Sequence, residues 1–359
     1  MRRWLFASLA AFAVIGTVLF VQGAVPCEAV SSHPDCYVAL RPGPVEDTFM
    51  LVEVDGTPSY ASSGELLLTT IAVDDDLGFV DWVRASTSRT VDAVPRDRIY
   101  PPGIDRGDLA EQNAALMADS QLTATLVALA ELGYDLEGEG ARVAGVADDV
   151  VTRALEVGDV IVAVDGAAVS DNAGVVDLVH DRSPGDRLAL DVVRDGSLRT
   201  VDVMLGTSPD EPGRAYIGVF LTTEIELPVD VRIDAGVIGG PSAGLMFALA
   251  IVDLLQPEDL TGGAVVGGTG TVGRDGAVGA VGGVRQKLIA SVARSDGQRP
   301  ASVFLVPRGN LEEASQASVS REVLLVPVDS LEGALDALGD LKAGRRPVDA
   351  LALPASGGQ

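Results

Sequence analysis

Two glycine-led segments constrain this chain more than any other feature. Gly239-Gly240-Pro241-Ser242-Ala243-Gly244 precedes an apolar, helix-forming run that reaches Leu255. Gly282-Gly283-Val284-Arg285-Gln286-Lys287 opens a second such run about 45 residues later. Ser242 therefore falls at a helix N-terminus, where backbone amides and the positive end of the helix dipole gather. Lys287 falls inside the second helix, among Val284, Leu288 and Ile289. A serine hydroxyl needs a base at neutral pH, and a lysine serves only if desolvation lowers its pKa. Each segment alone has a plainer reading, a capped helix start for one and a solvated helix residue for the other. Together they are a candidate nucleophile and general base.

Composition removes the rivals. His33 and His180 are the only histidines, and structural or surface roles suit both. A Ser-His-Asp triad and a histidine-rich metal site therefore have little to draw on, and no metal is expected. The net charge of −26 argues against nucleic-acid binding. No Gly-x-x-x-x-Gly-Lys-[Ser/Thr] phosphate loop occurs, so no ATP-driven motor and no nucleotide is expected. No cofactor is expected either. A penicillin-binding type of acyltransferase needs Ser-x-x-Lys, whereas Ser242 is followed by Ala-Gly-Leu.

After Arg2 and Arg3, the stretch from Trp4 to Cys27 carries no charge. Eighteen helical residues would span roughly 27 Å, close to the hydrocarbon thickness of a bilayer. The expectation is an uncleaved transmembrane anchor over residues 1–25, with the N-terminus in the cytoplasm and the bulk of the chain outside. A cleavable signal peptide is the rival reading. Cys27 and Cys36 are the only cysteines, and a disulfide between them suits an oxidising compartment, with two free thiols as the alternative.

Strand composition marks 50–54 and 66–73, and Leu109 to Leu132 reads as helical, with Ser120 as a cap inside it. From about 133 to 207 short strands and turns form a compact unit. Asp195-Gly196 between Leu188–Arg194 and Arg199–Leu205 is a hairpin signal. Ala154-Leu-Glu-Val-Gly-Asp-Val-Ile161, with Val164-Asp-Gly166 after it, resembles the signature of a PDZ domain except at its first glycine. That resemblance implies capture of peptides by strand addition. Leu132-Gly133-Tyr134 is the candidate for the loop that holds the peptide terminus. Asp159 within the signature reads as a turn residue.

From 208 to 344 helices alternate with buried strands, such as 264–268, 303–306 and 323–326. Gly-Pro-Ser-Ala-Gly at 240–244 and Gly282-Gly-Val-Arg-Gln-Lys-Leu288 resemble the serine and lysine motifs of the proteolytic domain of Lon proteases. Thr269-Gly270-Thr271 stands between them where that family has Thr-Gly-Glu. The resemblance makes Ser242 the nucleophile, Lys287 the general base and Thr269 the lysine's orienting partner. It also places the Gly240 or Ala243 amide in an oxyanion hole. Gly239 stands where many ATP-dependent members carry an aspartate, and Thr271 replaces the usual acidic residue.

The order of anchor, PDZ domain and peptidase resembles the membrane-anchored PDZ-containing Lon-like proteases of bacteria. The expected class is α+β: a transmembrane helix, residues 26–119 as strands that complete the peptidase sheet, a PDZ insertion at 120–207, an α/β proteolytic domain at 208–344 and a disordered tail at 345–359. Unfolded or terminal polypeptide segments are the implied substrates, the membrane the implied location and a homo-oligomeric ring the implied assembly. The alternative is an inactive, PDZ-based peptide-binding scaffold.

Overall fold

The structure, a computed structural model, describes residues 36–356 apart from 137, 148–153, 209–210, 212 and 295–296. The expected anchor, His33 and Cys27 lie outside the described residues. Among the described residues no helix is long and apolar enough to cross a membrane. Cys36 is buried and disulfide-bonded. The chain divides into a larger unit, built from residues up to Leu132 and from Val229 onward, and a smaller unit, Gly133–Pro228.

The larger unit opens with strands β1 (Tyr37–Asp47), β2 (Val52–Asp55) and β3 (Glu65–Asp74), helix α1 (Phe79–Thr87), strand β4 (Asp92–Pro95) and helix α2 (Arg106–Glu131). Leu66, Leu67 and Leu68 are all buried, as a central strand covered on both faces requires. Asp105 caps α2 by accepting from the Gly107 amide. The expected cap at Ser120 does not exist, because α2 runs unbroken through it. At the far end Leu132 bonds back to the helix and Gly133 takes a left-handed φ of 80°, the usual way to close a helix.

The smaller unit contains β5 (Gly140–Val146), β6 (Val160–Val164), helix α3 (Asn172–His180), β7 (Arg187–Arg194), β8 (Ser197–Met204) and β9 (Val219–Glu224). They form an antiparallel sheet in the order β9-β5-β6-β7-β8. Asp195 and Gly196 have φ of 51° and 71°, both positive as a tight hairpin between twisted strands demands. Its core packs Val143, Ile161, Val175, Leu188 and Leu190. Its limits differ from those expected. Residues 120–131 belong to α2, and residues 219–224 fold here, because β9 pairs with β5.

The chain then returns through β10 (Asp230–Ile233), α4 (Gly244–Leu255), β11 (Val265–Gly268), α5 (Val284–Val292), β12 (Val303–Pro307), α6 (Leu311–Ser315), β13 (Val323–Val328), α7 (Leu331–Lys342) and β14 (Leu351–Leu353). A seven-stranded mixed sheet runs β14-β13-β12-β11-β3-β1-β4, parallel from β3 to β13 and antiparallel at both ends. Helix α4 is buried all round from Leu245 to Ile251. The expected disordered tail is partly wrong. Residues 351–353 extend the sheet beside β13, and the Ser356 amide donates to Val319 O at 2.9 Å.

Candidate active site and peptide groove

Helix α4 begins at Gly244 with Ala243 as its N-cap, so Ser242 occupies the turn just before the helix rather than its first turn. Hydrogen bonds from neighbouring elements hold that turn. Ser120 Oγ donates to Pro241 O at 3.0 Å, and Thr269 Oγ1 donates to Ser242 O at 3.0 Å. The Gly270 amide donates to Ser242 O at 2.9 Å, and the Leu245 amide to Gly270 O at 3.1 Å. The nucleophile turn is thus gripped by α2 on one flank and by the end of β11 on the other.

Lys287 comes from α5. The N-cap of that helix, Gly283, has φ of 67°, and a Cβ there would lie 2.7 Å from Ile71 Cγ2. Only glycine satisfies both conditions without distortion. One turn on, Lys287 Nζ donates to Ser242 Oγ at 2.6 Å and to Thr269 Oγ1 at 3.1 Å. Lys287 is 3% exposed, and burial pushes its pKa down to about 8. The hydroxyl proton of Thr269 goes to Ser242 O, so Thr269 faces the lysine as an acceptor. Asp92 of β4 anchors α5 from outside, accepting from Arg285 Nη1 at 3.0 Å and Gln286 Nε2 at 2.7 Å.

Ser242, Ala243 and Lys287 line a cavity of about 590 Å³, bordered by Pro44, Glu46, Leu68, Thr69, Thr70, Ile71, Asn113, Val237 and Ile238. The structure thus brings Ser242, Lys287 and Thr269 together. Gly240 is different. Its amide donates to Asn113 O at 2.9 Å and is spent there, so the expected oxyanion role does not fit it. Among the described residues the Ser242 and Ala243 amides have no acceptor. Asn113, Ser120 and Asp92 carry no local signal in the sequence, since each acts on a partner more than a hundred positions away.

In the smaller unit a groove of about 100 Å³ runs between α3 and β9. Val175, Val176, Val179 and His180 form one wall, and Ala215 to Val219 with Leu221 the other. Strand β9 is the last in its sheet, so its outer backbone groups are open to an added strand. Leu132-Gly133-Tyr134 line no part of this groove. Leu132 packs on the core of the larger unit, and Gly133 closes α2.

Residues 222–338 match the family model of the Lon protease (S16) C-terminal proteolytic domain, and residues 121–205 match that of the PDZ domain. The chain has the domain content of a PDZ-containing Lon-like serine peptidase. Curated proteins are similar to parts of this chain. A probable periplasmic serine endoprotease, DegP-like, from Ectopseudomonas mendocina is 40% identical over 74 residues, 20% of this chain and 16% of the relative. A protein of the same description from Brucella suis is 28% identical over 163 residues, 45% of this chain and 30% of the relative. The chain thus spans less than a third of the length of these relatives. Among solved structures, the PDZ domain of an SdrC-like protein from Listeria monocytogenes is 26% identical, covering 24% of this chain and 93% of that one at a TM-score of 0.23. The PDZ match ends before β9, which supplies part of one wall of the groove.

Proposed function

We propose that the protein is an ATP-independent serine endopeptidase in which Ser242 is the nucleophile and Lys287 the general base. The observation that carries this reading is the 2.6 Å contact between Lys287 Nζ and Ser242 Oγ, made by an amine buried without a carboxylate partner. With its pKa at about 8, roughly a tenth of the amines are neutral at pH 7. At the ordinary value of 10.5 the neutral share would be about three in ten thousand. The neutral amine accepts the Ser242 proton as Oγ attacks the scissile carbonyl. Thr269, as an acceptor, keeps one N–H of the amine occupied and so turns its lone pair to the serine. The resulting ammonium then gives its proton to the leaving amine, and an acyl-enzyme remains on Ser242. Water, deprotonated by the same lysine, hydrolyses that ester.

The groove beside β9 delivers the substrate. An extended peptide adds to the open edge of β9, with apolar side chains against Val175, Val176 and Val179. Exposed chain ends and unfolded segments are the polymers free to do this. The uncharged N-terminal stretch would hold the enzyme at the outer face of a membrane.

The test is hydrolysis of a labelled unstructured protein by the purified chain without nucleotide. Wild type cleaves it, and Ser242→Ala and Lys287→Ala each lower kcat by at least about a thousandfold. Cleavage retained in both variants would remove this mechanism. Peptide binding with no Ser242-dependent hydrolysis or labelling by a fluorophosphonate would leave the scaffold reading instead.

A further inference from the structure

The bonds around the nucleophile turn set directions as well as positions. All described peptide bonds are trans, so a carbonyl fixed to one side of a peptide plane turns the N–H of that plane to the other side. Pro241 O accepts from Ser120 Oγ at 3.0 Å, and from the Gly244 amide only at 3.4 Å. The N–H in that plane belongs to Ser242. Ser242 O accepts from Thr269 Oγ1 and the Gly270 amide, and the N–H in that second plane belongs to Ala243. Both residues line the cavity, and among the described residues neither amide has an acceptor.

We infer that Ser120, 121 residues before Pro241, is a positioning residue for the oxyanion hole. Its hydroxyl holds the Pro241–Ser242 plane so that the Ser242 N–H faces the developing oxyanion, beside the Ala243 N–H that Thr269 and Gly270 direct. This rests on the peptidase reading above. The local packing fits the role. Ser120 is 5% exposed and shares one face of α2 with the buried Met117 and Ala124. Gly244 admits the close approach, because a Cβ there would sit 2.9 Å from Ser120 Oγ and 3.1 Å from Val272 Cγ1. Without the hydroxyl, Pro241 O keeps only the long Gly244 contact, and the plane is free to tilt. A donor aimed wrongly by a few tenths of an ångström loses much of its effect in the transition state and little in the ground state.

A plain packing role for Ser120 would lower the melting temperature and leave catalysis alone, so the test reads catalysis in three ways. Wild type, Ser120→Ala and Ser120→Cys are compared, with Ser242→Ala as the blank. Steady-state hydrolysis, the pH profile of kcat and the affinity for a peptide aldehyde, whose hemiacetal oxygen occupies the oxyanion position, are measured. In Ser120→Ala kcat falls about 10- to 100-fold with KM within about twofold, and aldehyde affinity falls by the same factor. The half-maximal pH stays put, because the Lys287–Ser242 contact is untouched. Ser120→Cys, similar in size with a weaker donor, lies between. Wild-type kcat in Ser120→Ala, an unchanged aldehyde affinity or a displaced pH profile would each overturn the inference while leaving the peptidase standing. A wild type no faster than Ser242→Ala would overturn both.

Discussion

The two units each bury a charged group shortly after a glycine, and they treat it in opposite ways. In the smaller unit Asp159 is 1% exposed and fully partnered. Its two oxygens accept from Arg194 Nε and Nη2, both at 2.6 Å, and Oδ2 also accepts from the Glu156 amide at 2.9 Å. Burial alone would raise its pKa, yet Arg194 and the amide hold it below the ordinary value. In the larger unit Lys287 is equally buried but meets only two hydroxyls. The first arrangement stabilises a turn. The second brings the amine's pKa down to about 8, at the expense of stability, so that a useful share is neutral, which is what a base requires. Burial of charge is structural where the partner is opposite in sign, and points to chemistry where it is missing.

The largest effect should follow from removing the unpaired charge. Lys287→Met fills similar volume without an ammonium, so hydrolysis drops to the level of Ser242→Ala while the fold gains about 1–3 kcal/mol at pH 7. The pH dependence fixes the sign. The folded value is about 8 and the unfolded value 10.5, so between these limits the unfolded chain binds more protons and stability rises with pH. Below about pH 8 the penalty is constant. In wild type kcat therefore climbs to a plateau above about pH 8, and in Lys287→Met the alkaline rise in stability disappears. Steady-state rates from pH 6 to 10 check the first, and thermal melts from pH 7 to 10 the second. A variant less stable than wild type across that range would mean that the lysine is held by more than its two hydroxyl contacts.

Asp159→Asn breaks the other arrangement. Arg194 is left with Glu156 and the Ala154 carbonyl, and the turn loses its acceptor for a cation. A loss of about 2–3 kcal/mol in the smaller unit is expected, short of the full range for buried pairs because Arg194 keeps some solvent. The contribution of wild-type Asp159 is present above its unfolded value of 3.8 and vanishes as pH falls through the lower folded value. Denaturation of Gly133–Pro228 followed by far-UV signal at pH 7 and pH 3 gives the comparison. An equal loss at both would show that shape, not charge, holds the turn.

The contrast was half legible in the sequence. The serine and lysine motifs are local strings, each tied to a helix start, and their chemistry can be read from residue types at a known separation. The Asp195-Gly196 hairpin is likewise local. What stayed hidden depends on pairing across the chain. Residues 351–353 are a strand only because β13 offers an edge, and their Ala- and Pro-rich surroundings suggest none. Ser120 looked like a cap because serine favours caps, while its partner lies in another element. Leu132-Gly133-Tyr134 and Ile217-Gly218-Val219 have the same apolar-Gly-apolar form. Only the sheet order, with β9 at its edge, tells them apart.

The smallest effect tests whether the lysine's placement, apart from its charge, comes from the helix start. Gly283→Ala puts a side chain at φ of 67° and a methyl 2.7 Å from Ile71 Cγ2, a branch methyl on Cβ that moves only when χ1 turns. The left-handed strain costs about 1 kcal/mol and the overlap adds about as much again if Ile71 cannot turn. Gly282→Ala meets nothing within 4 Å and should alter stability by less than about 0.5 kcal/mol. Because the Lys287 amide donates to Gly283 O at 3.1 Å, a shift at Gly283 travels directly into the first turn of α5. The melting temperatures of the two variants should therefore diverge, and kcat in Gly283→Ala should fall several-fold as Nζ leaves its place beside Ser242. Equal melting temperatures would mean that Asp92, gripping Arg285 and Gln286 from β4, positions α5 without help from its glycine cap.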